Sequence, residues 1–313
     1  MTMPTALEAA AEARRNIAGF AIRTPLVRLN SDHHEIYLKL ENLQPIGSFK
    51  IRGAANAVAH TPPHLLAKGL LTASAGNMAQ GVAFCARRLN IPATVITPDT
   101  APETKLRAIE RLGGHIIKTP FDQWWRAFEE RSFPGIDATF IHAFDDPHVM
   151  AGNGTIGLEL IEDLPDVDAI VVPWGGGGLA CGIAAVVKAH RPSVRVYAAE
   201  SATAAPLLAS LGAGAPQVVE YHPSFVDGIG SKTVFPGMLA EAQRLVDGSI
   251  VSTLEEIAGA LKLVAERNRV IAEGAAACAV AAALSGKAGT GKIVAVISGG
   301  NIDLKKFNEI TSA

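Results

Sequence analysis

The uncharged run Ala169-Ile170-Val171-Val172-Pro173-Trp174-Gly175-Gly176-Gly177-Gly178-Leu179, continuing through Ala180 to Val187, decides the fold class. Its length would pass for a membrane span. Its content does not, because Pro173, four consecutive glycines and Gly182 interrupt it. It reads instead as a strand, a glycine turn and a helix from Leu179 to Ala189. Glycines let a backbone approach an anion closely and aim several N–H groups at it, and a helix N-terminus adds partial positive charge. A phosphate-bearing ligand suits such a turn; a tight turn without a ligand is the alternative. The run lacks the Lys-Ser/Thr ending of a P-loop and does not match the dinucleotide fingerprint, so both of those sites are disfavoured.

The same unit recurs along the chain. Strands are expected at Ile36 to Leu40, Leu70 to Ala73, Ala93 to Thr97, His115 to Lys118, Val194 to Ala199 and Ile293 to Ile297. Helices are expected at Met78 to Leu89 and from about Pro102 to Leu112, the latter ending at Gly113-Gly114. Repeated βαβ units imply parallel strands with right-handed crossovers. Residues 119–150 look less regular and hold Trp124 and Trp125, and the stretch from Glu220 to Pro236 lacks periodicity. No linker separates domains, so any two domains must be interwoven. The expected cut falls at 1–68 and 146–313 for a large domain, with 69–145 expected as a smaller, mobile one.

Composition agrees with an aliphatic core. Of 313 residues, 49% are hydrophobic but only 5% aromatic, which suits a parallel sheet covered by helices on both faces. A net charge of -2 gives no signal for nucleic acid. Cys85, Cys181 and Cys278 are far apart and form no metal-ligand pattern, so they read as buried small hydrophobes in a reducing compartment. The first twenty residues lack the apolar core of a secretory signal, and Thr5 with Glu8 resembles a capping box. A soluble, cytoplasmic protein is expected.

Four short segments carry the candidate chemistry: Gly47-Ser48-Phe49-Lys50, Ser74-Ala75-Gly76-Asn77, the tetraglycine, and Ser298-Gly299-Gly300-Asn301. Three of them follow a predicted strand directly, where open α/β sheets bind ligands. Lys50 stands in a mostly uncharged context, and a lysine in apolar surroundings loses its charge easily and can act as nucleophile or base. Taken singly, Lys50 would be a surface lysine, Ser48 a helix cap, and Asn77 and Asn301 turn residues. A reactive lysine, a phosphate cradle and polar turns at one sheet edge together describe a pyridoxal phosphate site.

At this point the sequence resembles the fold type II pyridoxal 5'-phosphate enzymes, specifically the serine/threonine dehydratase and serine racemase family. The resemblance covers about residues 20 to 307. It rests on Leu38 to Pro45, Ser48 to Ala54, Ser74 to Asn77, Gly152-Asn153-Gly154-Thr155-Ile156, the tetraglycine, and Ser298 to Asn301. It implies two interleaved, open, twisted, mostly parallel sheets flanked by helices, and pyridoxal 5'-phosphate as cofactor. Lys50 would bind the cofactor aldehyde and later take the substrate Cα proton. Gly175, Gly176, Gly177 and Gly178 would hold the phosphate, Asn77 the 3'-oxygen, and Ser298 would face the pyridine nitrogen. Phe49 would pack on the ring, with Glu273 near it. Ser74, Ala75, Gly76, Asn77 and Met78 would line the substrate side. The implied reaction is β-elimination of water from L-threonine or L-serine, giving a 2-oxo acid and ammonia. A homodimer acting on a small amino acid is implied, with no nucleic acid or membrane partner.

Departures from the family pattern sharpen this. Ala75 stands where serine racemases carry a second serine, which disfavours racemisation. Met78 replaces a common histidine, and Trp174 is bulkier than usual, which raises a 3-aryl serine such as 3-phenylserine as an alternative substrate. Glu200 matches the first ligand of the racemase cation, but Pro206 occupies the second ligand's place, so no metal is expected. Only a short tail follows Asn301, so isoleucine feedback is not expected. The remaining rivals are a serine racemase and a binding protein that keeps the phosphate cradle without catalysis.

Overall fold

The computed structural model describes residues 4–31 and 35–312. Strands β1 (Leu26–Arg28) and β2 (Ile36–Leu40) begin one sheet. The chain then leaves to build a second sheet from β3 (Leu70–Ala73), β4 (Ala93–Pro98), β5 (His115–Thr119) and β6 (Thr139–Phe140). It returns with β7 (Ala169–Pro173), β8 (Arg195–Ser201), β9 (Gly248–Ser252) and β10 (Ile293–Ile297). The six-stranded order is β1-β2-β10-β7-β8-β9 and the four-stranded order β5-β4-β3-β6. All pairs are parallel except β1 with β2.

Burial explains the strand composition. Every residue of β3, β7 and β10 is buried, because helices cover both faces of the sheet. One covering helix, Gly274–Leu284, has the sequence GAAACAVAAAL and packs against β10 and β7. Its small side chains fill the layer without bulk. A second close approach needs Gly152: a Cβ there would lie 2.4 Å from the Arg52 carbonyl, so glycine lets helix Pro147–Asp163 press against helix Lys50–Ala59. That accounts for part of the Gly152-to-Ile156 motif without invoking a ligand.

The expected strands and helices appear close to their predicted bounds, and Thr5 with Glu8 forms the capping box. The three cysteines are free and buried. Three expectations need correction. Residues 119–150 are not irregular throughout, because Phe121–Glu130 is a helix. Phe121, Trp124, Trp125 and Phe128 recur at helical spacing, with Pro120 just ahead; bulky rings masked a pattern that was legible. Strand β9 was not anticipated, and neither was the antiparallel edge strand β1, which is only three residues long. Lastly, Ser48 caps nothing: Phe49 is the N-cap residue, and the Ser48 hydroxyl is buried without a partner.

Candidate active site

The turns after β3 and β10 meet through the Asn301–Asn77 bond, and β7 lies next to β10 in the same sheet, so the candidate segments gather at the carboxyl ends of these strands. Backbone bonds tie them together. Phe49 N–H donates to the Ser298 carbonyl (3.0 Å), Gly300 N–H to Gly47 (2.9 Å), and Glu273 N–H to Gly299 (3.0 Å). The turn after β10 is therefore clamped between the Lys50 loop and Glu273.

Lys50 opens its helix and points inward. Its Nζ donates to the Ala143 carbonyl at 2.6 Å and lies 5.1 Å from the Phe49 ring centre. Burial, opposed by the nearby Glu273 carboxylate, lowers its pKa from 10.5 to about 8. A half-buried amine with one neutral hydrogen-bond partner gives up its proton more readily than a solvated one, as a base must.

Glu273 shows the reverse effect. Burial raises its pKa to about 7, with Lys105, Asn77 and Asn301 among the opposing influences. Its Oε1 accepts from Asn77 Nδ2 at 2.9 Å. Asn301 Nδ2 donates to Asn77 Oδ1 and to the Ile46 carbonyl, both at 2.8 Å. That chain of bonds orients the Asn77 amide at the start of helix Asn77–Leu89. The side chain of Glu273 does not cap its own helix.

The tetraglycine forms the turn from β7 into helix Gly178–His190. Gly177 is the N-cap residue, at φ +92, and no side chain caps the helix start. Its leading N–H groups thus face the turn unclaimed by a cap. The turn is packed from behind: a Cβ at Gly176 would lie 2.0 Å from the Phe144 ring, and one at Gly177 2.5 Å from Trp174. Trp174 is buried beneath the glycines, in the core, rather than lining open space.

Ser74 to Gly76 form the turn after β3, with Ser74 Oγ accepting from Gly76 N–H at 3.2 Å. A Cβ at Gly76 would meet nothing within 4 Å, so the turn borders open space. Ser298 is buried at the end of β10. Met78 departs from its expected place. It is 2% exposed and packs in a cluster with Ile46, Ile51, Val82 and Val149. As the residue after Asn77 in a helix it points about 100° away, toward the Lys50 helix. It does not face the turn.

The pocket chemistry fits pyridoxal phosphate. An uncapped 13-residue helix start suits a phosphate. The half-buried Lys50 amine, with its lowered pKa, suits an aldehyde. The buried, unpartnered Ser48 hydroxyl beside it leaves a polar atom to be satisfied. At Glu200 the arrangement differs from a cation site. Its carboxylate accepts from Leu207 N–H and Leu208 N–H, both at 2.8 Å, and from Ser249 Oγ at 2.6 Å. It serves the start of helix Pro206–Ala213, and no group of three or more metal-ligating side chains occurs among the described residues.

Sequence comparison decides the family. A family model described as "Pyridoxal-phosphate dependent enzyme" matches residues 17–299. The chain belongs to that family. This enzyme is 43% identical to an L-threonine ammonia-lyase of Thermotoga maritima, over 97% of the chain and 77% of the relative. It is 37% identical to a catabolic L-threonine dehydratase of Staphylococcus aureus, over 96% of the chain and 90% of the relative. Among solved structures, maize serine racemase superposes with a TM-score of 0.88 at 32% identity, covering 98% of this chain and 97% of that one. The cofactor is pyridoxal 5'-phosphate and the fold is the interleaved two-sheet type of its structural neighbours.

Sequence reading missed part of this site. Asn301 was weighed only as a turn residue, yet it orients Asn77. His142, Ala143 and Phe144 were not singled out, although Ala143 holds the lysine and Phe144 backs the tetraglycine. The first signal is modest, an Asn after two glycines at a strand end. The second is a carbonyl contact, which no side-chain pattern encodes.

Proposed function

We propose that this enzyme is an ammonia-lyase that eliminates water from L-threonine and, less efficiently, L-serine. The observation that carries the reading is Lys50, a half-buried amine whose Nζ donates to the Ala143 carbonyl at 2.6 Å and whose pKa desolvation lowers to about 8. The identities with proteins named for L-threonine agree with it.

Bound pyridoxal phosphate supplies an electron sink for the charge that develops at the substrate Cα. The residues do the rest. Gly175 to Gly178 would offer N–H groups to the phosphate, and Phe49 would pack on the ring. Asn77, held in orientation by Asn301 and Glu273, would present its amide to the 3'-oxygen. Ser298 would meet the pyridine nitrogen with a hydroxyl, which does not force its protonation. The turn Ser74, Ala75, Gly76 and Asn77 receives the substrate carboxylate. The Lys50 amine takes the Cα proton, the β-hydroxyl leaves as water, and the released enamine hydrolyses to 2-oxobutanoate and ammonia.

Residues 69–145 are proposed to move as a smaller unit that closes the Ser74 turn over substrate. A homodimer and a cytoplasmic location are proposed with it; no helix among the described residues is long and apolar enough to cross a membrane. A 3-aryl serine substrate loses its main support, since Met78 and Trp174 both point into core.

The test is 2-oxo acid release from a panel of β-hydroxy amino acids of both configurations. L-Threonine is expected to give the highest kcat/KM. Preference for 3-phenylserine, or D-serine formed from L-serine in excess of pyruvate, would overturn the assignment.

A further inference from the structure

The residues after β6 form a knot that touches both the lysine and the phosphate turn. His142 is 1% exposed, and its Nδ1 accepts from Asp145 N–H at 2.8 Å and Phe144 N–H at 3.3 Å. Two donors on one ring nitrogen require that nitrogen to carry no proton, so the ring proton sits on Nε2. The ring is walled by Phe128 and Phe144, with centroids at 4.4 and 4.8 Å, and by Phe140 and Phe235 farther out. Burial, then the charges of Arg131 and Lys50, pushes its pKa down to about 3, so the acceptor persists across the working range. Arg131 is itself paired with Asp145 at 2.9 Å.

The turn that His142 ties presents two groups to the site. The Ala143 carbonyl receives Lys50 Nζ, and the Phe144 ring fills the space that a side chain at Gly176 would need. We propose that His142 is a positioning residue: its neutral imidazole holds the 143–145 turn so that the Ala143 carbonyl docks the free Lys50 amine, aimed for proton transfer. The inference rests on the reading of Lys50 as the base. The free amine has to be held within reach of Cα without being trapped by a counter-charge. A neutral carbonyl does that, provided the turn cannot swing away.

The test uses His142→Phe, which fits the aromatic wall but offers no acceptor, and His142→Asn, whose Oδ1 falls near the Nδ1 position. In cofactor-free full-length protein, the pH midpoint for acylation of Lys50 is read by peptide mass analysis. With the carbonyl displaced, the ammonium loses its remaining hydrogen bond in a dry site. The midpoint should then fall below about 8, by about one unit. In the holoenzyme, kcat should fall about tenfold while KM stays within about twofold. The Asn variant should restore both.

A merely structural role predicts the opposite sign, since a loosened, hydrated pocket would move the midpoint up toward 10.5. A rise, no change, or an Asn variant that folds without rescue each overturns the proposal. Should the Phe variant not fold, His142→Gln, whose amide lies one bond farther out, replaces it under the same criteria. The base reading itself fails differently, through wild-type protein that releases no 2-oxo acid.

Discussion

Two cations lie two residues apart on one helix, Arg52 buried and Lys50 half-buried, and they could hardly be treated more differently. Arg52 is 1% exposed and saturated with partners. Its Nε and Nη2 bond both oxygens of Glu41 at 2.8 Å, and its Nη1 and Nη2 bond both oxygens of Glu159 at 2.6 and 3.0 Å. Lys39, fully buried, joins the same cluster through Glu159 at 2.7 Å and the Thr24 carbonyl. Burial disfavours the Arg52 charge, but Glu41 and Glu159 more than offset it and its pKa rises. Burial likewise opposes ionisation of Glu41, and Arg52 outweighs it, so that carboxyl is held below its ordinary value. Lys50 has one carbonyl, and its pKa falls. Desolvation is common to both; the difference is counter-charge. A buried charge that is fully paired fixes the position of its helix, while one left short of partners keeps a proton it can release.

The largest test of this contrast is the pair of deletions. Lys50→Ala should lower 2-oxo acid formation by at least about a thousandfold, the combined weight of a covalent anchor and a base. It should also abolish the visible band of lysine-bound cofactor, yet leave the urea midpoint unchanged or higher, because an underpaired buried charge is gone. A band that survives would remove Lys50 from its role. Arg52→Leu should do the reverse. It strands Glu41 without its paired cation and leaves Glu159 to Lys39 alone, at a cost of about 3–5 kcal/mol. Chemical denaturation measures that cost, and a variant as stable as wild type would show that the cluster does not anchor the helix.

The sequence showed one half of this contrast better than the other. The uncharged stretch ahead of Lys50 marked it as exceptional, and strand-end glycines placed the tetraglycine turn, because both depend on local sequence. Arg52 passed unremarked: its partners are 11 and 107 residues away, and no local pattern announces that Glu41 and Glu159 converge on it. Met78 failed for a related reason. Its neighbour Asn77 belongs to the site, but helical rotation sends adjacent side chains in different directions. Position in a motif was legible there; orientation was not.

Glu273 offers a test of intermediate size. Its folded pKa of about 7 lies above its ordinary 4.5. The folded state therefore holds a proton that the unfolded state has lost. The stability this confers is fully present below pH 4.5 and disappears as pH rises through about 7. Within that window wild type should lose up to about 1.4 kcal/mol per pH unit from this group. Glu273→Gln keeps an acceptor for Asn77 but cannot titrate, so its melting temperature should vary less between pH 4.5 and 7. Equal slopes for the two proteins would mean that Glu273 is not held protonated by burial.

The smallest expected effect comes from adding a hydroxyl at position 75, the place proposed for a second base. Ala75 lies half-buried in the turn after β3, beside Gly76 and its open space, and a methyl group can neither give nor take a proton. Ala75→Ser introduces a hydroxyl there. The turn's own Ser74 Oγ already accepts from Gly76 N–H, and a neutral hydroxyl there is a weak base. The gain should therefore sit at the low end of general acid–base effects, below about a hundredfold in D-serine formed from L-serine. Pyruvate should remain the main product, since Lys50, the proposed base, is untouched. If the added hydroxyl produces no D-serine at all, the alanine is not what keeps this enzyme on the elimination path, and the second face must be closed by something other than a missing base.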